Sequence, residues 1–483
     1  MSKNPVSIIM RGFVVGVFIA SPLMGQGTVS TTPCPSVSSR SAAAYKGVYY
    51  ANDFGYLTDT CRPQGDTRDP IARTTDHLKR IPLGSSVLLD IGGESRFRMH
   101  DETNLAGSRL SGLDNHFSLG RLRLYANLEF GAHLRIYAEG VDARIFGTDR
   151  PPRNIEVDHT DLLNGFAEFR TTLSRGKALI RAGRQELLFG AQRLVSPLDW
   201  GNTRRSFDGI AGGYLIKDLQ LSTFAVWPRI VVPHGLDSRD DSQRFAGLYA
   251  TQGQGSRLQR EVYLLNLHEN RGTTFDYNLW TLGARAAGVV GTVSWEVEGG
   301  YQWGQHTEEG KQRSGFFTAV IGRGLSLPGR PKIEAGLDWA RGDRNSADGS
   351  RQTFVQLFPL AHAYLGYMDL VARQNILAVN LRATAQPTTK LSLQATVFDF
   401  NLDQATDALY NAGGAPIRRD TTGVAGKDVG REIDVQGKYQ LTPRVDLMAG
   451  VSRFWGGRFI DATNQTGTKS NSSFIFTQLS LRF

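Results

Sequence analysis

Hydrophobic and polar residues alternate one by one along much of the chain. The stretch "GRLRLYANLEF" (120–130) places Leu122 and Leu124 on one parity and Arg121 and Arg123 on the other. Successive side chains of a β-strand point to opposite faces, so a period of two predicts a strand with one apolar and one polar face. A soluble sandwich and a membrane barrel both show this alternation. The pattern recurs at 294–303, 332–340 and 431–440.

Short and long connections alternate between the predicted strands from Val87 onward. A transmembrane barrel has short periplasmic turns and long extracellular loops, whereas a sandwich has no reason to segregate them. The fold predicted is therefore an all-β, transmembrane antiparallel β-barrel of about 18 strands, wide enough to hold an aqueous lumen. Short turns are predicted at 131–132, 174–176, 217–218, 252–256, 326–330, 386–389 and 441–444. Long connections are predicted at 101–118, 145–162, 190–206, 228–242, 341–373, 401–430 and 456–472.

The two ends of the sequence agree with an exported barrel. Residues 1–27 carry Lys3 and Arg11, then an apolar run of about nine residues, then small residues, which is typical of a secretory signal peptide. That run is well short of the ~20 residues that a membrane-spanning helix needs. The last stretch, "SSFIFTQLSLRF", alternates and ends on Phe483, and it resembles the terminal strand that the outer-membrane barrel assembly machinery recognises. The predicted units are 1–27 signal peptide, 28–82 periplasmic N-terminal segment and 83–483 outer-membrane barrel.

The chain has two cysteines, Cys34 and Cys61, both in the N-terminal segment. In an oxidising compartment they are candidates for a disulfide that closes a loop near the mature N-terminus. The absence of a C-x-x-C motif and of neighbouring histidines argues against a metal or redox role. No metal and no cofactor are predicted.

The charge of the chain is basic and is carried mainly by arginine. Of the 55 basic residues 44 are Arg, and the formal net charge is +9. The planar guanidinium holds carboxylate or phosphate well where solvation is poor. Nucleic acid is not an expected partner, because the protein is exported and its arginines are spread along the chain rather than gathered in one patch.

Apolar side chains in lipid force the other parity of each strand into the lumen. The inward residues predicted to line the pore and bind substrate are arginines, with Glu129 and Glu139 as balancing acids. The strand arginines in this set are Arg96, Arg98, Arg121, Arg123, Arg135, Arg170, Arg181, Arg285 and Arg382.

The stretch "GRQELLFGAQRLVSPLDWGNTRRSFDG" (183–209) concentrates arginines and acids where a strand is predicted to pass into an outer connection near residue 190. Parity would place Arg184 in lipid, where a charge costs ~2–4 kcal/mol at the midplane. A bulge at Gly183 that turns Arg184 inward is therefore predicted. The alternative is a salt-bridged loop that packs Trp200 and Phe207 against the wall. The residues predicted at a pore rim or constriction are Arg184, Arg193, Arg204 and Arg205 with the acids Glu186, Asp199 and Asp208.

Several motifs resemble the alginate export family of bacterial outer-membrane proteins. They are "GRQELLFGAQRL", "RRSFDG", "LKRIPLGSSVLLDIGGESRFR" (78–98) and "LYNAGG" (409–414), and the resemblance runs from about Leu78 to Phe483. It implies an 18-stranded barrel whose arginine-lined, electropositive lumen passes an anionic polyuronate outward. It also implies that Arg96 and Arg98 lie on the first strand. Near the constriction it implies Arg184, Glu186, Arg193, Arg204 and Arg205.

Three other functions share parts of this pattern. An outer-membrane enzyme is disfavoured, because no G-x-S-x-G, H-E-x-x-H or phosphate-binding Gly-Lys loop occurs and no catalytic residue is predicted. A general or small-anion porin shares the fold and differs only in the constriction. A structural or adhesive barrel would use loop arginines to meet lipopolysaccharide from outside. The expected partners are therefore an anionic polysaccharide or oligosaccharide, outer-membrane lipid and lipopolysaccharide, and the expected state is a monomer.

Overall fold

The computed structural model describes residues 43–57, 69–273, 276–307, 310–464 and 469–483. The predicted signal peptide, Cys34 and Cys61 lie outside these ranges. Within them, no helix is long and apolar enough to cross a membrane.

Eighteen long strands follow one another along the chain. Each pairs antiparallel with the next, and we number them in chain order. They are β1 Val87–Thr103, β2 Asn115–Phe130, β3 Leu134–Phe146, β4 Asp158–Leu173, β5 Gly176–Gln185, β6 Phe207–Ile216, β7 Leu219–Ile230, β8 Gln243–Gln252, β9 Leu258–Glu269, β10 Tyr277–Val290, β11 Val293–His306, β12 Gly310–Gly324, β13 Lys332–Ala340, β14 Ile376–Ala385, β15 Leu391–Leu402, β16 Asp428–Thr442, β17 Val445–Gly456 and β18 Ser472–Arg482.

Pairing of the first strand with the last closes the sheet into a barrel. The β1–β18 ladder runs from Glu94 opposite Arg482 to Thr103 opposite Ser473. A closed sheet has no unpaired edge, which is the condition for a β-structure to span lipid. The prediction of an 18-stranded antiparallel barrel is confirmed.

The alternation in the sequence separates the two faces of the wall. On β2, Leu122 and Leu124 expose 43 % and 50 % of their surface, whereas Arg121 and Arg123 expose 2 % and 1 %. The exposed parity carries leucine, isoleucine, valine and aromatic residues on strands all around the barrel. Burial of the charged parity identifies it as the inner face.

Short turns occupy one end of the barrel and longer connections the other, as predicted. The sequence pattern did not reveal the two-residue turn at 291–292, where a single glycine is the only signal, or that β9 and β10, and β11 and β12, are separate strands joined at the other end. In this class of barrel the short turns face the periplasm. We therefore call the short-turn end periplasmic and the other end extracellular.

Two outer connections, 186–206 and 341–375, fold into the lumen and pack against each other. The amide of Phe358 donates to the carbonyl of Leu194 and the amide of Ser196 to the carbonyl of Phe358, each at 2.8 Å. Leu194 and Phe358 belong to a buried apolar cluster that also contains Phe207 and Phe245 of the inner wall. The upper lumen is thus narrowed by two connections that brace one another.

The N-terminal segment 43–57 enters the lumen from the periplasmic side. Tyr49 and Tyr50 are buried and pack against the inner-face aromatic residues of β2, β3 and β4, which are Tyr125, Tyr137 and Phe166. The chain then forms a short helix, Pro70–Thr75, next to the periplasmic turn that carries Arg444. Arg444, in the periplasmic turn between β16 and β17, holds this region through Asp76 at 2.6 Å, Thr75 at 2.7 Å and the hydroxyl of Tyr45 at 3.1 Å.

Candidate functional site

The structure places the nine strand arginines predicted to face the pore on the inner parity of their strands. Seven are buried and two, Arg170 and Arg382, are half-buried. Most of them contact carboxylates rather than open solvent. The lumen therefore contains clusters of ion pairs, which we describe from the centre outward.

The central cluster joins the wall to the inward connection 186–206. Arg121 of β2 contacts Glu94 of β1 at 2.5 Å and Asp199 of the connection at 2.9 Å. Arg204, from the same connection as Asp199, also pairs with it. Arg96 donates to the main-chain carbonyl of Asp199 at 2.7 Å, with its guanidinium 4.0 Å from the carboxylate. Ion pairs thus join the inner face of β1 and β2 to the connection 186–206.

The cluster continues toward β3 and β5. Arg123 contacts Glu139 at 2.6 Å and Glu186 at 3.9 Å, and Glu186 also pairs with Arg204. These charges balance, because four arginines face four carboxylates. The arginines are Arg96, Arg121, Arg123 and Arg204, and the carboxylates are Glu94, Glu139, Glu186 and Asp199.

Asp199 is the member of this cluster with the most open surface. Its side chain is 57 % exposed, although the barrel wall surrounds it. Enclosure works to raise its pKa, but Arg204, Arg121 and Arg96 hold the pKa of this carboxyl well below its usual range. Asp199 therefore presents a permanent negative charge, already met by arginines, to the space inside the barrel.

A second cluster near the periplasmic end is richer in arginine. Glu168 of β4 contacts Arg170 at 2.6 Å and Arg135 at 3.7 Å, and it also pairs with Arg181. Arg170 makes a second contact, with Glu129 at 3.5 Å. Three arginines here share two carboxylates of the inner wall, although Glu129 is also bonded by Arg80 at 2.7 Å.

A third cluster lies on the opposite wall. Arg193 pairs with Glu296 and lies 3.3 Å from Glu298, and Arg285 contacts Glu261 at 2.7 Å and Glu296 at 3.0 Å. Sequence reasoning missed Glu261.

Sequence reasoning also missed Arg373, whose guanidinium lies 2.7 Å from Asp338. Arg373 is in a connection without periodicity, so nothing in its neighbourhood marked it. Glu94 was missed too, although it has the same parity as Arg96, and that parity was sufficient to find it.

Three predicted arginines have no carboxylate partner within 4.0 Å among the described residues. Arg98 bonds the side-chain oxygen of Gln478 at 2.7 Å and lies 3.8 Å from the ring centre of Trp200. Arg205 bonds only main-chain carbonyls, and burial lowers its pKa to about 10, so it stays charged at neutral pH. Arg382 bonds the carbonyl of Ala363 at 3.3 Å. These three lumen cations are therefore not neutralised by a carboxylate of the described residues.

The prediction for Arg184 was wrong. The ladders on both sides of β5 run through Gly183 without a register shift, so no bulge turns Arg184 inward. Arg184 keeps the outward parity and pairs with Asp208, directly opposite on β6, at 2.8 Å. Asp161 lies 3.6 Å from Arg184. A neutralised pair at the extracellular strand end avoids most of the cost of an isolated charge in lipid, which falls to ~0–1 kcal/mol near an interface.

The N-terminal segment covers two lumen arginines. The guanidinium of Arg123 lies 4.0 Å from the ring centre of Tyr49, and that of Arg181 lies 4.2 Å from the ring centre of Tyr50. The Tyr49 hydroxyl donates to Glu94 at 2.8 Å. The sequence offered no signal for this, because residues 43–57 show no strand periodicity.

Main-chain carbonyls of the same segment accept from other lumen arginines. Arg204 donates to Gly47 at 3.0 Å and Arg135 to Tyr50 at 2.7 Å. The segment thus contacts the central and the periplasmic cluster at once.

One group of acids has the geometry of a metal site. Asp158, Asp161 and Asp237 bring carboxylate oxygens within 4.8 Å of one another. The guanidinium of Arg229 lies 2.6 Å from Asp237 and 3.1 Å from Asp158, and Arg184 lies beside Asp161. Two arginines thus face three carboxylates, and Arg184 is shared with Asp208, so the group is only partly neutralised.

A family model described as alginate export matches residues 87–476 of the chain. The match covers every strand of the barrel except the end of the last one. The comparison with curated proteins found no match.

Solved outer-membrane porins share the fold at low sequence identity. OccAB2 of Acinetobacter baumannii superposes with a TM-score of 0.55 at 11 % identity, covering 82 % of this chain and 98 % of that one. OpdK of Pseudomonas aeruginosa, solved with vanillate, gives 0.54 at 12 % with the same coverage. A BenF-like porin of Pseudomonas fluorescens Pf-5 gives 0.54 at 11 %, again with the same coverage.

Proposed function

Because this chain belongs to the alginate export family and forms an outer-membrane channel, we propose that it passes an anionic polysaccharide of the polyuronate type, or a related anionic solute. The observation that carries the proposal is the set of inner-face arginines, above all the three that protein carboxylates do not neutralise. Arg205 and Arg382 are half-buried and give the lumen cations that a passing carboxylate can meet, whereas Arg98 is buried against Trp200 and acts through its charge at a distance.

The paired arginines have a different role in this proposal. A carboxylate of each uronate sugar can replace a protein carboxylate at an arginine without creating an unpaired buried charge. An ion pair at ~4 Å is worth about 1 kcal/mol in bulk-like water and more where water is excluded. Because the uronate and the protein carboxylate bind an arginine with similar strength, each arginine binds the polymer only weakly. Transit through a channel requires several such sites, each of which binds the solute favourably but weakly.

We further propose that residues 43–57 are a gate on the periplasmic side of this path. The segment covers Arg123 and Arg181 with tyrosine rings and occupies Arg204 and Arg135 with main-chain carbonyls. An arriving polyuronate offers the same arginines carboxylates, which are stronger acceptors than neutral carbonyls. Competition for these arginines would displace the segment and open the path.

The test is single-channel recording in a planar bilayer under a salt gradient, with and without added oligouronate. We expect an anion-selective current that the oligouronate blocks. The variant Arg98→Gln/Arg205→Gln removes two unpaired cations, and we expect its reversal potential to move toward that of a non-selective pore.

The matched control is Arg239→Gln/Arg431→Gln, which removes two exposed arginines outside the lumen. It should leave the reversal potential unchanged. A selective current that the sugar does not block would leave a general small-anion porin. Equal reversal potentials in the lumen variant and the control would overturn the assignment of Arg98 and Arg205.

A further inference from the structure

The outer wall of the barrel carries a pocket on β10, β11 and β12, at their extracellular ends. Its volume is about 400 Å³. It opens outward, away from the lumen and from every residue of the proposed path. The pocket lining consists of Asn278, Trp280, Tyr301, Trp303, Gly304, Gln305, Lys311, Gln312 and Arg313.

The strand register explains the shape of this pocket. Trp280, Trp303 and Arg313 lie side by side in one row across the three strands. The next row toward the membrane centre places Tyr301 opposite Gly315, which is buried. The Tyr301 and Trp303 rings stack at 6.1 Å with an angle of 17° between their planes. The pocket floor is therefore aromatic and rigid.

The rim of the pocket is polar and cationic. Asn278, Gln305 and Lys311 form the row nearest the extracellular end. Lys311 and Arg313 are exposed, and neither makes an ion pair with a carboxylate of the described residues. Two cations two residues apart on an outward face, with no carboxylate of the described residues paired to them, are matched by an anion with more than one negative charge.

The height of the pocket on the barrel identifies the source of that anion. Below it the outer face is purely apolar, with Leu282, Phe317 and Ile321 exposed to lipid. Tryptophan and tyrosine on membrane barrels mark the level where acyl chains meet head groups. Lys311 and Arg313 thus lie at the head-group level of the outer leaflet, whose lipid in this membrane is lipopolysaccharide.

We propose that this pocket binds the phosphorylated disaccharide of lipid A. The sugar phosphate pairs with the ammonium of Lys311 and the guanidinium of Arg313, and both groups bind phosphate well. Trp280 and Trp303 take the apolar face of the sugar and the first acyl carbons. The inference is independent of what the lumen conducts.

The experiment is native mass spectrometry of the full chain in detergent, titrated with bisphosphorylated lipid A or with dephosphorylated lipid A. We expect one preferred adduct with the phosphorylated form. Lys311→Gln/Arg313→Gln should weaken it by about tenfold or more, since each cation near an anionic head group contributes on the order of 1 kcal/mol.

The control is Arg323→Gln/Arg330→Gln. It removes two exposed arginines at the periplasmic end of the same strand and in the turn that follows, and it should bind like the parent. Equal binding of both lipid forms, equal binding by the two double variants, or an adduct with the mass of a second protein chain would each overturn the proposal. The gel shift on heating checks that both variants fold.

Discussion

At the scale of single residues, pairing separates the arginines that stabilise the barrel from those that can act on a solute. Arg121 and Arg123 contact Glu94 and Glu139, which are buried with them. Truncating one partner of a buried pair leaves an uncompensated charge and costs ~3–5 kcal/mol. In variants of Arg121 or Arg123, a change in selectivity would therefore be accompanied by a loss of stability. Substitution of Arg98 leaves no unpaired carboxylate, because Arg98 has no acidic partner in the described part of the chain.

Lys79 gives the docked N-terminal segment a dependence on pH. Its ammonium lies 5.1 Å from the ring centre of Phe54, in the segment, and 5.4 Å from that of Tyr125, on the wall. Burial, together with the nearby charge of Arg444, lowers its pKa to about 8, against the opposite effect of Asp90 and Asp76.

The direction of this pH dependence follows from the protonation of Lys79 in the docked and undocked states. An undocked segment exposes Lys79, whose pKa returns to about 10.4. Between pH 8 and that value the undocked state binds more protons, so docking becomes more favourable as the pH rises. The gain is about 2 kcal/mol from pH 8 to 9.5.

We therefore expect the open-channel current of the full chain to be lower at pH 9.5 than at pH 7.5. Lys79→Met removes the titrating group and should abolish this difference. A pH response of the same size in Lys79→Met would exclude Lys79 as its origin.

At the scale of elements, the period of two was sufficient to predict the strands and their inner faces. Each strand buries one face against the lumen and exposes the other to lipid, and a one-residue shift would reverse every side chain. At Arg184 parity was right and the predicted bulge was wrong, because Asp208, which neutralises the charge, comes from the next strand. Parity within one strand carries no information about that partner.

Gly183 shows what the local backbone requires at this point. Its φ is +131°, and a Cβ atom there would lie 2.3 Å from the carbonyl oxygen of Gly165. Gly209, opposite on β6, has φ +154°. Two glycines side by side let β5 and β6 continue in register just below the inward connection.

We expect Gly183→Ala to destabilise the barrel by ~1–3 kcal/mol, because it forces a non-glycine residue into a strained backbone conformation. The measurement is the temperature at which the heat-modified band appears on a gel. Gly140→Ala is the control, since its φ is ordinary and a Cβ atom there would lie 3.5 Å from its nearest neighbour. An unchanged temperature in Gly183→Ala would contradict the prediction.

At the scale of the whole molecule, the sequence predicted the wall but not the contents of the lumen. Strand number, closure and the positions of most connections follow from alternation, which is a local property. The packing of 186–206 against 341–375 and the entry of 43–57 depend on contacts between distant parts of the chain. The carboxylate partners of Arg193, which come from β11, belong to the same class.

The gate predicts a change in conductance. Tyr49→Ala/Tyr50→Ala removes both rings that cover lumen arginines and the hydroxyl bonds to Glu94 and to the carbonyl of Glu186. We expect a larger and more frequently open current, because the docked state loses its aromatic contacts. Tyr214→Ala/Tyr439→Ala, on strands but outside this aromatic cluster, is the control. Identical currents in parent and gate variant would show that the segment does not limit the path.

The pairing of β1 with β18 also sets the order of events during biogenesis. The ribosome makes residues 43–57 before any strand, yet their binding site is built from β2, β3, β4 and the connection 186–206. The cylinder around that site cannot close until the last strand reaches the first, and long-range closures of this kind are slow. Residues 43–57, with their exposed tyrosines, therefore cannot bind in their final position until β18 has paired with β1.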